Sequence, residues 1–259
     1  MKYTFLLFFI SLSINAQKLV ETAFIKKMAF EADTILNTDN FDHTLYISDN
    51  ILFKKSKELQ GLDLGYYNFQ MGTISSVNTF NPLKINVFYK DFNTAIILDN
   101  RLAEIFKIDF NTLQPYKNVS HISTGFDNTL WVFNQEAQIL ELYDYKTNAT
   151  RAKTLPIKGD VLDLKSNYNS CLLLAKDYLY IYNYFGSLVK KIKNDGFTEI
   201  VENNGNVILR KANRLFYLKD NSETLTAIQL PDLLIKQFFA TNETLYIYDG
   251  ESLHEFKLK

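Results

Sequence analysis

The sequence is poor in the residues that most often build metal, disulfide and nucleotide sites. Among 259 residues there is one cysteine, Cys171, so no intrachain disulfide can form. The three histidines, His43, His121 and His254, lie far apart, and none stands at metal-ligand spacing from another histidine or the cysteine. The nine glycines do not fall into the P-loop or dinucleotide-binding patterns. We therefore expect no metal and no cofactor.

The sequence also lacks an excess of positive or negative charge. The formal net charge is −1, so the chain has no electrostatic footprint for nucleic acid or anionic lipid, and we expect no nucleic-acid partner. The longest apolar stretch is at the start, MKYTFLLFFISLSINAQ, where Lys2 precedes an apolar run that ends at Leu12. This pattern is typical of a cleavable signal peptide over residues 1–16, although a buried N-terminal strand is an alternative.

Export follows from that prediction. Residues 17–259 would then form one domain, and no lipid-anchoring cysteine follows the predicted cleavage position. An exported chain without disulfides, rich in Asn, Lys, Ile, Phe and Tyr, is typical of a bacterial envelope protein. We expect it in the periplasm or associated with the outer membrane, with no transmembrane segment.

What the sequence does contain is a series of strand patterns. Short apolar, aromatic and β-branched runs recur between turns rich in Asn, Asp, Gly and Lys. The runs TLYIS, TLWVF, CLLLA and TLYIY are examples. Only short pieces such as residues 21–32 show a helical period, and even that piece is compatible with a strand.

The spacing of these runs predicts the fold. Successive gaps between equivalent apolar positions are about 42, 43, 42, 35 and 38 residues, close to the period of a four-stranded propeller blade. The positions compared are Leu45, Val87, Leu130, Leu172, Val207 and Leu245. Because the last period has only three strands, we expect the segment around 18–28 to supply the fourth. The sequence therefore predicts an all-β, six-bladed β-propeller with about four strands per blade, closed by the N-terminal strand.

Two other all-β folds are alternatives to the propeller. A transmembrane barrel needs strands with one apolar and one polar face, whereas runs such as CLLLA and AIIL are apolar on both faces. Two tandem sandwiches are not separated from a propeller by turn spacing alone. In a propeller, the stretch FDNTLWVF (126–133) would begin the second strand of a blade, with Trp131 packed against a neighbouring blade.

This repeat layout resembles the six- to eight-bladed propellers of bacterial envelopes, including PQQ-type repeats and the propeller of the outer-membrane assembly machinery. The resemblance is in architecture only, because Trp-Asp dipeptides, Asp-boxes and Gly-rich tryptophan-docking repeats are missing and Trp131 is the single tryptophan. The block NPLKINVFYKDFNTAIILDN (81–100) also resembles a signature of exported proteins, without implying an activity. The resemblance therefore implies a fold and no functional residues.

Catalytic patterns are weak throughout. A G-x-S-x-G nucleophile turn is absent, and Cys171 lies in an apolar strand pattern that predicts a small buried side chain. Neighbouring carboxylates such as Glu199 and Glu202 are expected by chance among 29 acidic residues. We expect no catalytic residue and no enzymatic activity.

Aromatic residues are the remaining signal. The stretch LGYYNFQMG (64–72) places Tyr66, Tyr67 and Phe69 between glycines, and Phe80 precedes the Asn-Pro turn at 81–82. These four residues are the candidate partner surface, although an irregular outer strand packed on its neighbour would also explain the first three.

The sequence favours an exported, non-catalytic propeller that acts as a protein-interaction scaffold in outer-membrane assembly or secretion. It would be a monomer or a complex subunit, with an envelope protein as partner and peripheral association with the outer membrane as a further possibility. Two alternatives stay open: a propeller that binds a small ligand or carbohydrate, and a lyase-like or quinoprotein-like enzyme that uses the central channel.

Overall fold

Six antiparallel sheets of four strands each make up the fold. The structure, a computed structural model, describes residues 19–38, 43–55 and 63–259, so the predicted signal peptide lies outside the described residues. The sheets follow one another along the chain and surround a central axis, and the innermost strands of blades 3, 4, 5, 6 and 1 are in contact from each blade to the next. The predicted six-bladed β-propeller is confirmed.

The strands are named A to D within each blade, from the innermost outwards. Blade 1 contains β2 (Thr34–Thr38), β3 (Thr44–Ser48), β4 (Ile51–Lys55) and β5 (Leu64–Tyr66). Blade 2 contains β6 (Ser76–Asn78), β7 (Ile85–Tyr89), β8 (Thr94–Leu98) and β9 (Glu104–Asp109). Blade 3 contains β10 (Val119–Thr124), β11 (Thr129–Asn134), β12 (Ile139–Asp144) and β13 (Ala149–Lys153).

Blades 4 to 6 follow the same plan. Blade 4 contains β14 (Val161–Ser166), β15 (Ser170–Ala175), β16 (Tyr178–Asn183) and β17 (Leu188–Lys193). Blade 5 contains β18 (Glu199–Asn203), β19 (Asn206–Lys211), β20 (Arg214–Leu218) and β21 (Leu225–Ala227). Blade 6 contains β22 (Gln237–Thr241), β23 (Thr244–Tyr248), β24 (Ser252–Leu258) and, outermost, β1 (Thr22–Ala29). Two short 3-10 helices, Lys90–Phe92 and Phe110–Thr112, lie in loops.

The ring is closed by β1. This strand pairs antiparallel with β24 along its length, from Thr22 opposite Leu258 to Ala29 opposite Ser252. Lys26 adds an ion pair with Glu255 at 3.1 Å. Residues 22–29 form a strand and not a helix, because an isolated helix of this length is only marginally stable, whereas the unpaired edge of β24 offers a full row of backbone hydrogen-bond partners.

The apolar core consists of six clusters, each lying between two adjacent blades. The second strand of blade 3 shows how one strand serves two clusters. Leu130 and Val132 pack toward blade 2, whereas Trp131 and Phe133 pack toward blade 4. Alternate residues of a strand point to opposite faces, so a strand between two blades must be apolar on both. The predicted burial of Trp131 is confirmed, since its side chain is 1% exposed.

The outermost strands are interrupted by β-bulges. In four blades the pairing register shifts by one residue, which leaves Ile25, Ile105, Arg151 and Val189 as the extra residues. A bulge in an edge strand twists it and disrupts the regular row of backbone donors and acceptors. At these four blades the outer edge is therefore poorly suited to pairing with a strand from another chain.

Candidate interaction surfaces

Loops emerge on two opposite faces of the ring. Because neighbouring strands are antiparallel, the loops that join strands A to B and C to D lie on one face, called here the AB face. The loops that join B to C, and D to the next A, lie on the other, called the DA face. Loops of the same face can place exposed side chains from different blades next to one another.

Hydrogen bonds join the inner strand ends of blades 2, 3 and 4 at the AB face. Asn78 donates to the Oγ of Ser123 at 3.0 Å and accepts from Thr124 at 2.6 Å. Ser166 donates to Ser123 at 2.7 Å, which brings blade 4 into the same network. Ser123, Thr124 and Ser166 are buried, so the network fixes the loops that follow these three strands.

Each of those three loops carries an aromatic residue at the same position. Phe80, Phe126 and Tyr168 all stand two residues after the end of the innermost strand, in blades 2, 3 and 4 respectively. The rings of Phe80 and Tyr168 meet edge to face at 4.9 Å, so loops of blades 2 and 4 touch across blade 3. Phe80 is 40% and Tyr168 45% exposed.

The aromatic surface continues onto the loop between strands C and D of blade 4. Tyr184 meets the ring of Phe126 edge to face at 5.9 Å and lies 4.0 Å from the ring of Phe185, which is 66% exposed. The Oδ1 atom of Asn183 accepts hydrogen bonds from the backbone N–H groups of Phe185 and Ser187, both at 3.0 Å. This set of aromatic residues is called the aromatic AB surface: Phe80, Phe126, Tyr168, Tyr184 and Phe185.

A second group of exposed aromatic residues lies on the DA face, in the loop that joins blades 1 and 2. Tyr67 and Phe69 are in contact, with their ring centroids 4.6 Å apart. Phe69 is 90% exposed. Phe92, from the neighbouring loop of blade 2, packs on Gly72, where an added Cβ would lie 3.1 Å from its ring.

The structure divides the four residues that the sequence singled out. Tyr67 and Phe69 are together on the DA face, whereas Phe80 lies on the AB face. Tyr66 is buried and donates a hydrogen bond to Glu104 at 2.8 Å. Burial is the main cause, and the hydrogen bond to the Glu104 carboxylate the second, that raises the pKa of Tyr66 above its usual value. The four residues do not form one surface, and Tyr66 packs against blade 2 instead of facing solvent.

None of the other four members of the aromatic AB surface is assigned to a partner surface from the sequence: Phe126, Tyr168, Tyr184 and Phe185. A signal for two of them is present in the repeat period, because aligning the blades places Phe80, Phe126 and Tyr168 in one column. The contact between Phe80 and Tyr168 has no local signal, since it depends on how the blades are arranged around the axis.

Titratable side chains are mostly paired with neighbours. Burial lowers the pKa of His121. Burial would raise the pKa of Asp249, but hydrogen bonds from His254 at 2.7 Å and from two backbone N–H groups outweigh it and lower the pKa to about 2. Cys171 is fully buried, which raises the pKa of its thiol. Across residues 19–38, 43–55 and 63–259, no three His, Cys, Asp or Glu side chains are grouped as metal ligands would be.

A cavity of about 390 Å³ lies between blades 5 and 6, beside the segment that leads into β1. Its wall is formed mainly by residues 227–235, with Leu19 and Arg214 at the edge. It is remote in the fold from the aromatic AB surface.

No helix within the described residues has the length and apolar character needed to cross a membrane.

Comparison with solved structures shows the same fold at low sequence identity. A streptogramin B lyase structure matches with a TM-score of 0.63 and 12% identity, over 96% of each chain. A catalytically inactive virginiamycin B lyase from Staphylococcus aureus, with quinupristin, matches with a TM-score of 0.62 and 11% identity, over 96% of this chain and 98% of that one. A chain of the mitotic checkpoint complex matches with a TM-score of 0.58 and 10% identity, over 99% of this chain and 98% of that one.

No family model matches the chain, and no curated protein matches it in sequence. At these identities the structural likenesses show the fold alone. The chain resembles bacterial β-propeller proteins in architecture, as its repeat spacing predicts, and its function has to be argued from its own surfaces.

Proposed function

We propose that this protein is an exported, non-catalytic scaffold of the bacterial envelope that binds a protein partner through the aromatic AB surface. The observation that carries the proposal is the set of partly exposed aromatic side chains on adjoining loops of blades 2, 3 and 4. Aromatic residues supply most of the binding energy at many protein interfaces, and contiguous exposed apolar patches mark such interfaces.

The loops that present these rings are fixed before any partner arrives. The side chain of Asn183 accepts a hydrogen bond from the backbone N–H of Phe185 and so fixes the turn that carries this ring. The Lys84 ammonium donates to the backbone carbonyl of Asp127 at 2.6 Å, which connects the loop of blade 2 to that of blade 3. Binding by preorganised side chains loses little conformational entropy. This supports a role as a binding surface.

The carbohydrate alternative predicts exposed aromatic residues at equivalent positions in several blades, and the AB face has them. Their geometry favours a protein partner. Phe80 with Tyr168 and Phe126 with Tyr184 pack edge to face, with interplanar angles of 76° and 87°. In each pair one ring covers the face of the other with its edge, whereas a sugar ring stacks on an open aromatic face.

Export and the envelope setting are part of the same proposal. They are supported by the signal-peptide pattern of residues 1–16. The proposed setting is outer-membrane assembly or secretion, and the partner would be another envelope protein.

Affinity purification from native envelopes, after cross-linking, tests the proposal. The wild-type protein should recover a partner in stoichiometric amount. A variant with Tyr168→Ser and Phe185→Ser should lose it, because these changes remove exposed anchors without touching the core. Leu155→Ser is the matched control, since Leu155 is 85% exposed and lies on the DA face. Repeated recovery of the protein alone, or a partner retained by the double variant, would refute the proposed function.

A further inference from the structure

The DA face carries its own apolar surface, made of Tyr67, Phe69 and Phe92 and called here the Phe69 surface. Phe69 is among the most exposed large apolar side chains in the described part of the chain, and Tyr67 and Phe92 are 54% and 44% exposed. An aromatic side chain kept in water loses the stabilisation that burial would give. Nothing in the folding of the propeller itself explains why these aromatic side chains are exposed.

The loop that presents Phe69 is held on both sides. On the blade 1 side, the side chain of Asn50 donates to the carbonyl of Gly72 at 2.9 Å and accepts from the N–H of Ile74 at 2.7 Å. On the blade 2 side, the Nδ2 atom of Asn68 donates to Glu104 at 3.3 Å. Met71 is buried beneath the loop. Phe69 therefore projects from a fixed support, as a binding anchor must.

Acidic residues border this surface. Asp49 precedes Asn50 in the turn that holds the loop, Asp91 precedes Phe92, and Glu104 contacts Asn68. Lys90, the lysine nearest to Phe92 in sequence, belongs to the short 3-10 helix Lys90–Phe92, which contacts β10, the innermost strand of blade 3. Over the whole DA face the loops contain eleven aspartates and glutamates against five lysines and no arginine.

From these observations we propose that the Phe69 surface docks a basic segment of a second protein, in which an apolar residue is flanked by lysine or arginine. Apolar contact with Phe69 would supply affinity, and the acidic border would supply selection for positive charge. The surface lies on the face opposite to the aromatic AB surface. The protein would then hold two partners at once, one on each face of the ring.

Selection from a random peptide library displayed on phage, with the folded protein as bait, tests this directly. Peptides that bind wild type and lose affinity at least about tenfold toward Phe69→Ser should be enriched in Lys and Arg around an apolar residue. These peptides should bind the wild-type protein more weakly at high salt, and they should bind the Asp91→Lys variant more weakly than the wild type. Tyr168→Ser, on the opposite face, should leave their binding unchanged, which separates this surface from the proposed AB function.

Three results would overturn the inference. One is the absence of any peptide that depends on Phe69. Another is a set of Phe69-dependent peptides that is neutral or acidic. The third is Phe69-dependent flotation of the protein with neutral phospholipid vesicles, which would make the surface a membrane anchor. Unchanged thermal unfolding of Phe69→Ser is the required control for folding.

Discussion

A buried ion pair between blades 2 and 3 offers the sharpest test of the packing described above. Lys117, in the loop that leads into blade 3, pairs with Glu141 on β12, and their side chains are 6% and 5% exposed. Thr150 donates to Glu141 at 2.7 Å, and Asn134 approaches it at 3.5 Å. Replacing Lys117 by methionine keeps an unbranched side chain close to the length of the lysine stem, removes the ammonium group, and leaves the carboxylate buried without its cation.

The expected cost is large. Removing one partner of a buried pair costs about 3–5 kcal/mol because the other charge stays desolvated, whereas replacing both by apolar residues can be nearly neutral. We therefore expect Lys117→Met to destabilise the protein by about 3–5 kcal/mol at pH 7, and Lys117→Met with Glu141→Leu to be clearly less destabilised than the single variant.

The pH dependence has a definite sign. Burial alone would raise the pKa of Glu141, but hydrogen bonds from Lys117 and Thr150 outweigh it and hold the pKa below its usual value. In the wild type this carboxylate adds stability above its unfolded pKa, and that contribution disappears as the pH falls through the lowered folded pKa. In Lys117→Met the pKa of Glu141 should rise, so the cost of the substitution should shrink on acidification.

Guanidinium unfolding of the wild type, the single variant and the double variant at pH 7 and at mildly acidic pH measures these differences. The single variant should unfold at the lowest denaturant concentration at pH 7, and its difference from wild type should narrow at acidic pH. A cost below about 1 kcal/mol, as for a surface pair, or a difference that widens on acidification, would refute the reasoning.

Three further predictions concern how the ring is built. Trp131→Ala should cost about 3–5 kcal/mol in unfolding experiments while leaving partner binding per folded molecule unchanged; selective loss of binding would contradict its structural role. Gly125→Ala should destabilise by about 1–3 kcal/mol, because the new Cβ would lie 2.2 Å from the Oγ1 of Thr129; an unchanged melting temperature would contradict that geometry. Removal of residues up to Ala29 should expose the edge of β24 and give aggregates in light scattering; a stable monomer would show that closure is dispensable.

The repeat period made most of the fold predictable. The apolar runs that contain Leu130 and Leu172 are buried on both faces, and only strands between two other layers need that pattern. The short final period also predicted the closing role of β1, because a three-stranded last blade would leave an edge unpaired. The turn at Asn128 also located the start of β11 at Thr129.

The interaction surfaces were less predictable for a physical reason. Whether an aromatic residue in a loop is exposed depends on what the adjacent blade places beside it. Tyr66 and Tyr67 are neighbours in sequence, yet Glu104 of blade 2 engages the first while the second stays in solvent. Likewise, Phe80 belongs with Tyr168 only because the ring brings blades 2 and 4 within reach across blade 3.

Closure by β1 also imposes an order in time. The partner of β1 is β24, and the strands of all the other blades lie between the two in sequence. During synthesis on the ribosome, Phe24 and Met28 would therefore stay unpaired until the last blade has emerged, and the closing contact must join two ends separated by almost the whole described chain. The earlier blades can pack on one another as they emerge, but the propeller closes only when β1 pairs with β24 at the final step. A chaperone that shields β1 would act in the interval before β24 has been synthesised, when the apolar side chains of β1 have no partner.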